Sequence, residues 1–221
     1  MYFSNFNEKI TYSNHWGGEL DVCGEGRVCK EDLDVFPVLR KNWRNEHWCL
    51  RLEKGITEVG AGFLEAFKNL AVLVIHYSVQ SIEMTPALET LLRKNKVVIR
   101  GWYDSYGERF ALENGLAFLH SDIMVGWADD EAHYTHTRLE IRFNDDGKPY
   151  AFYDDYCPGI SAGNNGGGTY TQEIAEDFFV GQTLESFAKF KPRFSADILQ
   201  NEDLKYFFET AGKRRKETQR T

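Results

Sequence analysis

The sequence has few cysteines and no long apolar run. Its four cysteines, Cys23, Cys29, Cys49 and Cys157, are too sparse among 221 residues for a disulfide scaffold, and none forms a C-x-x-C pair. No stretch approaches the ~20 apolar residues of a membrane-spanning helix, and the N-terminus lacks the basic and hydrophobic segments of a signal peptide. We therefore expect a cytoplasmic protein with reduced thiols and no membrane span, although Cys23 and Cys29 remain able to pair in an exported protein.

The sequence also has fewer basic than acidic side chains. The chain has 26 Lys and Arg against 34 Asp and Glu, which gives a formal net charge of −8. A protein that binds nucleic acid irrespective of sequence needs a positive contact face. We interpret the one basic run, residues 213–216, as a solvated helix end, so no nucleic-acid partner is expected.

The sequence lacks the common motifs that bind nucleotides or metal ions. The Gly-rich segment 161–170 contains neither G-K-[ST] nor G-x-G-x-x-G, so a tightly turned connector is favoured over a phosphate cradle. The acidic doublets at 129–130, 145–146 and 154–155 lack the spacing of a calcium loop. The sequence therefore predicts no cofactor and no metal site.

What the sequence does contain is a repeat between Cys49 and Ile99. Short apolar segments begin at Leu50, Leu73 and Val97, at intervals of 23 and 24 residues, and such a period is typical of a solenoid. Segment 18–24 alternates like a strand and adds a first rung. The insertion between residues 31 and 48 supplies Trp43 and Trp48, which we expect to plug the N-terminal end.

Alternation within these strands assigns their side chains to two faces. Six apolar residues are predicted to point inward: Leu50, Leu52, Leu73, Ile75, Val97 and Ile99. Seven residues then lie on the outward sheet face and form the predicted contact surface for a partner: Arg51, Glu53, Val74, His76, Val98, Arg100 and Trp102. Exposed Arg and Trp beside a short apolar stripe have the composition of a binding hot spot.

The segment from Ile56 to Ile82 resembles the BspA-like class of leucine-rich repeats. Its central motif is Phe67-x-Asn69-Leu70-x-x-Leu73-x-Ile75. The segment from Val98 to Phe118, with a strand, a Gly, a Ser and a short Ala-containing helix, is similar to that family's last repeat. The resemblance covers residues 15–120. It implies a right-handed parallel β-solenoid that recognises proteins or surfaces without catalysis.

After about Met124 the repeat ends and a different pattern begins. Residues 134–143 and 150–153 alternate on either side of a turn at 144–148, which predicts an antiparallel hairpin with Leu139, Ile141 and Phe143 on its inner side. Helices are expected at 172–180, 184–190 and 202–211. The predicted architecture is an α/β leucine-rich-repeat β-solenoid of three to four rungs (residues 1–122), followed by an α+β C-terminal domain with a hairpin and helices (residues 123–221).

Three hypotheses about function follow. The favoured one is a non-catalytic module that binds a protein partner through the outward sheet face. The second is an enzyme with a site near Cys157 and segment 161–170, where His133 and His136 supply a candidate base. The third is a carbohydrate platform formed by Trp102, Tyr103 and Tyr106, since aromatic rings stack on sugars.

Overall fold

The protein is described by a computed structural model that covers residues 2–4, 8–15, 17–34, 43–130, 135–144, 147–156 and 183–218. The chain divides into two compact units, Met1–His120 and Ser121–Thr221. Each unit has its own sheet and its own buried apolar side chains.

The first unit contains ten strands and two α-helices among its described residues. The strands are β1 (Tyr2–Ser4), β2 (Ile10–His15), β3 (Glu19–Gly24), β4 (Gly26–Val28), β5 (Cys49–Leu52), β6 (Ile56–Val59), β7 (Val72–Ile75), β8 (Ser81–Ile82), β9 (Val98–Gly101) and β10 (Phe118–His120). The helices are α1 (Pro86–Lys94) and α2 (Tyr106–Glu113), and short 3-10 helices span Lys30–Leu33, Trp43–Glu46 and Leu64–Ala66.

The main sheet of this unit has seven described strands in the order β1-β2-β3-β5-β7-β9-β10. The pairs β1/β2 and β2/β3 are antiparallel, whereas every pair from β3 to β10 is parallel. Strands β4, β6 and β8 directly follow β3, β5 and β7 along the chain and form a separate parallel sheet. The first unit is therefore a mixed α/β fold.

The predicted β-solenoid is wrong. Within the described residues no sheet closes on itself or winds into a solenoid, and the main sheet is open, with parallel and antiparallel pairs side by side. The physical reason lies at the N-terminus, where a tight turn at Gly17 and Gly18 returns β2 antiparallel to β3. The sequence period identified strands that lie next to each other, but it carried no information about this antiparallel extension.

The predicted register of the third repeat is also wrong by two residues. Leu50 pairs with Leu73 as expected, but Leu73 then pairs with Ile99, not with Val97. The N–H of Val97 donates to the carbonyl of Leu92, so this residue belongs to the turn that ends α1. Lys96 before it has a left-handed backbone (φ 52°), and the strand begins only at Val98.

The core of the first unit lies on the inward side of the main sheet. Leu50, Leu52, Leu73, Ile75 and Ile99 are each at most 1% exposed and belong to one apolar cluster. Both α-helices begin at a hydroxyl cap: Thr85 Oγ1 accepts from the N–H of Leu88, and Ser105 Oγ accepts from the N–H of Glu108. On α2, a Cβ at Gly107 would lie 3.0 Å from the Cβ of Ile75, which is tighter than most Cβ contacts, so glycine favours this close approach to β7.

The two tryptophans of the insertion have different environments. Trp43 is buried and packs edge-on against Phe3, Tyr12 and Phe67, with ring centroids 5.3 to 6.0 Å apart. Trp48 is 41% exposed, and its indole N–H donates to the carbonyl of Gly17. Only Trp43 therefore contributes to the core.

The second unit has a three-stranded antiparallel sheet of β11 (Ile123–Asp130), β12 (Thr135–Phe143) and β13 (Pro149–Tyr156). Its described helices are α3 (Leu184–Phe190), α4 (Ser195–Gln200) and α5 (Glu202–Thr218), with a 3-10 helix at Pro192–Phe194. Buried residues on the strands and helices form its core: Ile123, Val125, Leu139, Ile141, Ala151, Phe187, Phe194, Ile198, Leu204 and Phe207. The predicted helix at 172–180 lies outside the described residues.

Candidate functional site

Strand register brings three of the predicted contact residues into one row across the main sheet. Arg51 pairs with Val74, and Val74 pairs with Arg100. Leu119 on β10 pairs with Arg100 and extends the row to the edge of the sheet. Because alternate residues of a strand point to opposite sides, this row faces away from the core that Leu50, Leu73 and Ile99 form.

A second row lies just beyond the carboxyl ends of the same strands. Glu53 follows β5, His76 follows β7, and Trp102 follows β9. The backbone N–H of His76 donates to the carbonyl of Leu52, so the parallel pairing continues into this row. Val98 lies at the opposite end of the face, where it pairs with Val72.

Polar and charged side chains on this face form a connected chain that begins on β2. His15 Nε2 lies 2.6 Å from Asp21 Oδ2, and Asp21 Oδ1 lies 3.7 Å from Arg51 Nε. Arg51 Nε also lies 3.4 Å from Glu53 Oε1. Two carboxylates therefore compensate the charge of Arg51 and restrict its position, although each partly exposed pair contributes only ~0–1 kcal/mol to stability.

Aromatic rings cluster at the other end of the second row. The ring centroid of His76 lies 4.0 Å from that of Tyr77 and 5.0 Å from that of Trp102. His76 Nδ1 lies 3.1 Å from the backbone nitrogen of Ser78 and 2.8 Å from the hydroxyl oxygen of Ser78. The hydroxyl of Ser78 in turn donates to the carbonyl of Ile56 at 2.9 Å. These contacts hold the His76 ring against Trp102.

Exposure divides the seven predicted residues into two groups. Val74 is 3% and His76 is 4% exposed, so neither presents a surface to a partner. His76 is buried in the ring cluster, and Val74 lies between two arginines of its own row. The other five predicted residues, Arg51, Glu53, Val98, Arg100 and Trp102, are partly exposed.

One residue of this surface was missed by the sequence analysis. Leu119 is 50% exposed at the end of the first row, next to Arg100. Its neighbour Phe118 packs against the core. Because side chains alternate between the two sides of a strand, this places Leu119 on the outer side, and the alternation of apolar residues in β10 was the sequence signal. We define the contact face as Arg51, Glu53, Arg100, Trp102 and Leu119.

The indole of Trp102 has an unusual feature. Its Nε1 is buried, and no described residue offers this N–H a hydrogen-bond acceptor. A buried donor without a partner costs ~1–3 kcal/mol. The ring is held in this position by the edge contacts with His76 and Tyr77.

No family model, curated protein or solved structure matches this chain. The resemblance of residues 15–120 to BspA-like repeats therefore stays a prediction.

The three aromatic residues of the carbohydrate hypothesis do not share a platform. Trp102 packs with His76, whereas Tyr103 stacks on His120 at a centroid distance of 4.0 Å. The hydroxyl of Tyr106 accepts from the N–H of Ile82 at 2.9 Å. Each ring has its own structural neighbours, so nothing in the geometry favours a sugar-binding surface.

The residues of the enzyme hypothesis, Cys157 and segment 161–170, lie outside the described residues. The three other cysteines are free thiols. Burial raises the pKa of Cys23, Cys29 and Cys49, that of Cys49 to about 11, and the Asp32 carboxylate that accepts from Cys29 Sγ adds to the rise there. These thiols are protonated at neutral pH and are poor nucleophiles.

The described residues also bear on metal binding and membrane insertion. In the part of the chain that is described, no group of three or more His, Cys, Asp or Glu side chains is arranged to hold a metal ion. No described helix is both long and apolar enough to cross a lipid bilayer.

Proposed function

We propose that this protein is a non-catalytic interaction module that binds a protein partner through the contact face. The observation that carries the proposal is the paired register of Arg51, Val74, Arg100 and Leu119, with Trp102 in the adjacent row. It puts two arginines, an indole and an exposed leucine on one side of a rigid sheet.

The composition of this face supports binding to a protein. Interface hot spots are enriched in Trp and Arg, and they pair large side chains with apolar neighbours. A solvated sheet face without a partner carries mostly Lys and Glu. Of the five contact-face residues, two are arginines, none is a lysine, and the one glutamate, Glu53, is paired with Arg51.

The contact face is also preorganised. Arg51 is held by Asp21 and Glu53, and Trp102 is held by His76 and Tyr77. Side chains that are already ordered lose less conformational entropy on binding, at ~0.5–1.5 kcal/mol for each one that does not have to be immobilised. We expect the partner to present an apolar side chain to Trp102 and Leu119, and a carboxylate to Arg100.

The bulk properties support a protein partner in the cytoplasm. A net charge of −8 provides no overall positive field for nucleic acid. Free thiols at Cys23, Cys29 and Cys49 suit a reducing compartment.

Site-specific photocrosslinking of the full chain tests the proposal. A photoreactive amino acid at Leu119 should capture a defined protein from native lysate. The matched control is Leu112 on α2, which is 69% exposed but does not belong to the contact face. The proposal requires an adduct that forms from position 119 and not from position 112. Identical adducts from both positions would show that contact is nonspecific.

A further inference from the structure

The first unit contains a cavity that is separate from the contact face. Its volume is about 420 Å³. Seven described residues line it: Lys30, Leu33, Asp34, Arg44, Asn45, Ala66 and Lys68. Sites for small ligands have volumes of ~300–1,000 Å³, so the cavity is large enough for a small metabolite.

The described part of the lining carries more basic than acidic side chains, although the whole chain has a net charge of −8. It includes three basic residues, Lys30, Arg44 and Lys68, and one acidic residue, Asp34. They come from three separate segments: the 3-10 helix Lys30–Leu33, the 3-10 helix Trp43–Glu46, and the turn after Leu64–Ala66. Among the described residues none of these three cations has a carboxylate at ion-pair distance.

Neighbouring residues hold two of these cations in place. The aliphatic part of Lys30 lies across Gly62, where an added Cβ would lie 3.1 Å from Lys30 Cδ. The guanidinium carbon of Arg44 lies 5.7 Å from the centre of the Trp43 ring, and that ring is buried in the core. These contacts limit the positions of the exposed Lys30 and the half-buried Arg44 side chains.

Two asparagine side chains hold the backbone at Asn45 and Lys68, which also line the cavity. Asn69 Nδ2 donates to the carbonyl of Asn45 at 2.7 Å. Asn95 Nδ2 donates to the carbonyl of Lys68 at 2.9 Å and to that of Leu70 at 2.9 Å. The segments that supply Arg44, Asn45 and Lys68 are therefore anchored to the rest of the unit.

We infer that this cavity binds a small phosphate-bearing ligand. Positive charges that line one concave site repel each other, and a bound anion offsets this repulsion. Phosphate matches the donors: Arg44 can donate two parallel hydrogen bonds, and the ammonium groups of Lys30 and Lys68 add charge-assisted bonds. The side chains of Asp34 and Asn45 then remain for hydroxyl groups of an esterified ligand.

This inference is independent of the contact face, because the two sites share no residue. The phosphate comes from one of two sources, inorganic phosphate or the phosphate ester of a small polyol. Both satisfy the three cations, and only the ester also uses Asp34 and Asn45.

Calorimetric titration of the full chain at constant ionic strength tests the inference, with inorganic phosphate, glucose 6-phosphate and glucose as probes. We expect saturable binding of at least one phosphate compound and none of glucose. Tighter binding of glucose 6-phosphate would assign the site to an ester, and equal binding would assign it to the inorganic ion. Absence of binding by both phosphate compounds would overturn the inference.

Charge-neutralising variants locate the site. Arg44→Gln and Lys68→Gln should each weaken binding by about tenfold or more, since each removes a charge-assisted contact. Arg93→Gln is the matched control, because Arg93 is exposed on α1, pairs with Glu89 and does not line the cavity. Lys68→Arg should retain binding. Equal affinity in all four variants would contradict the assignment to this cavity, and circular dichroism establishes that each variant is folded.

Discussion

Arg51 and Arg100 lie on the same side of the main sheet, one on each side of Val74, because both pair with that residue on β7. Neighbouring strands are ~4.8 Å apart, so the backbones of the two arginines are separated by ~10 Å. The valine between them is only 3% exposed. The sheet therefore places two arginines two strands apart, on either side of a buried apolar position.

The inward row of the same strands predicts the cost of a core truncation. Leu73 is fully buried at the centre of the sheet, so Leu73→Ala removes apolar contacts and leaves a cavity. We expect a loss of ~2–5 kcal/mol in the free energy of unfolding. Urea denaturation measures it, and Leu112→Ala at an exposed helix position should change stability by less than ~0.5 kcal/mol. Similar values for both variants would contradict the assignment of Leu73 to the core.

The cap of α1 gives a second prediction. Thr85 Oγ1 accepts from the N–H of Leu88 at 3.0 Å and donates to Glu65 Oε1 at 2.6 Å. Thr85→Ala should cost ~1–2 kcal/mol, and Thr85→Ser should restore most of it, because serine also caps helices. Thr90→Ala on the exposed side of α1 is the control. A cost at Thr90 equal to that at Thr85 would show that the cap contributes nothing specific.

The buried thiol of Cys49 predicts a pH dependence. Burial raises the pKa of Cys49 from 9.0 to about 11. Between these values the folded protein keeps a proton that the unfolded chain has lost, so stability decreases as the pH rises through this range. Below about pH 9 the Cys49 thiol is protonated in both the folded and the unfolded protein, so its titration does not lower the free energy of unfolding there. Cys49→Ala should therefore flatten the decline between pH 9 and pH 11 in urea denaturation, and an unchanged slope would contradict this.

In the second unit a buried carboxylate joins two arginines. Arg138 Nε lies 3.3 Å from Glu140 Oε1, and Arg142 Nε lies 2.7 Å from Glu140 Oε2, with Glu140 only 7% exposed. Glu140→Gln removes the charge between two guanidinium groups and should cost ~3 kcal/mol in calorimetric unfolding. The control Glu89→Gln breaks an exposed pair with Arg93 and should cost under ~0.5 kcal/mol. Equal losses would mean that burial of Glu140 is unimportant.

Sequence pattern identified the strands but not how they assemble. The apolar periods around Leu50 and Leu73 predicted adjacent parallel strands because both segments are regular and linked by a short connection. The same period failed at Val97, since the longer turn after α1 uses that residue to satisfy the carbonyl of Leu92. No period could have predicted β1 and β2, which extend the sheet antiparallel and make it open.

The candidate site shows the same division. Alternation placed Arg51, Arg100 and Trp102 on one side of the sheet, because the side of a strand is a local property. Burial is not local: His76 packs against Trp102, a residue distant in sequence that only the folded structure brings next to it. The cavity between Lys30, Arg44 and Lys68 has no sequence signal, since its cations come from three distant segments.

The most direct test of the interaction module is the affinity for the protein captured from position 119. Isothermal titration should show at least a tenfold loss for Arg100→Ala and for Trp102→Ala, a cost above ~1.4 kcal/mol each. Arg93→Ala should bind like the wild type, and every variant should keep its melting temperature. Unchanged affinity in both contact-face variants would contradict the account, as would a loss that merely follows a fall in melting temperature.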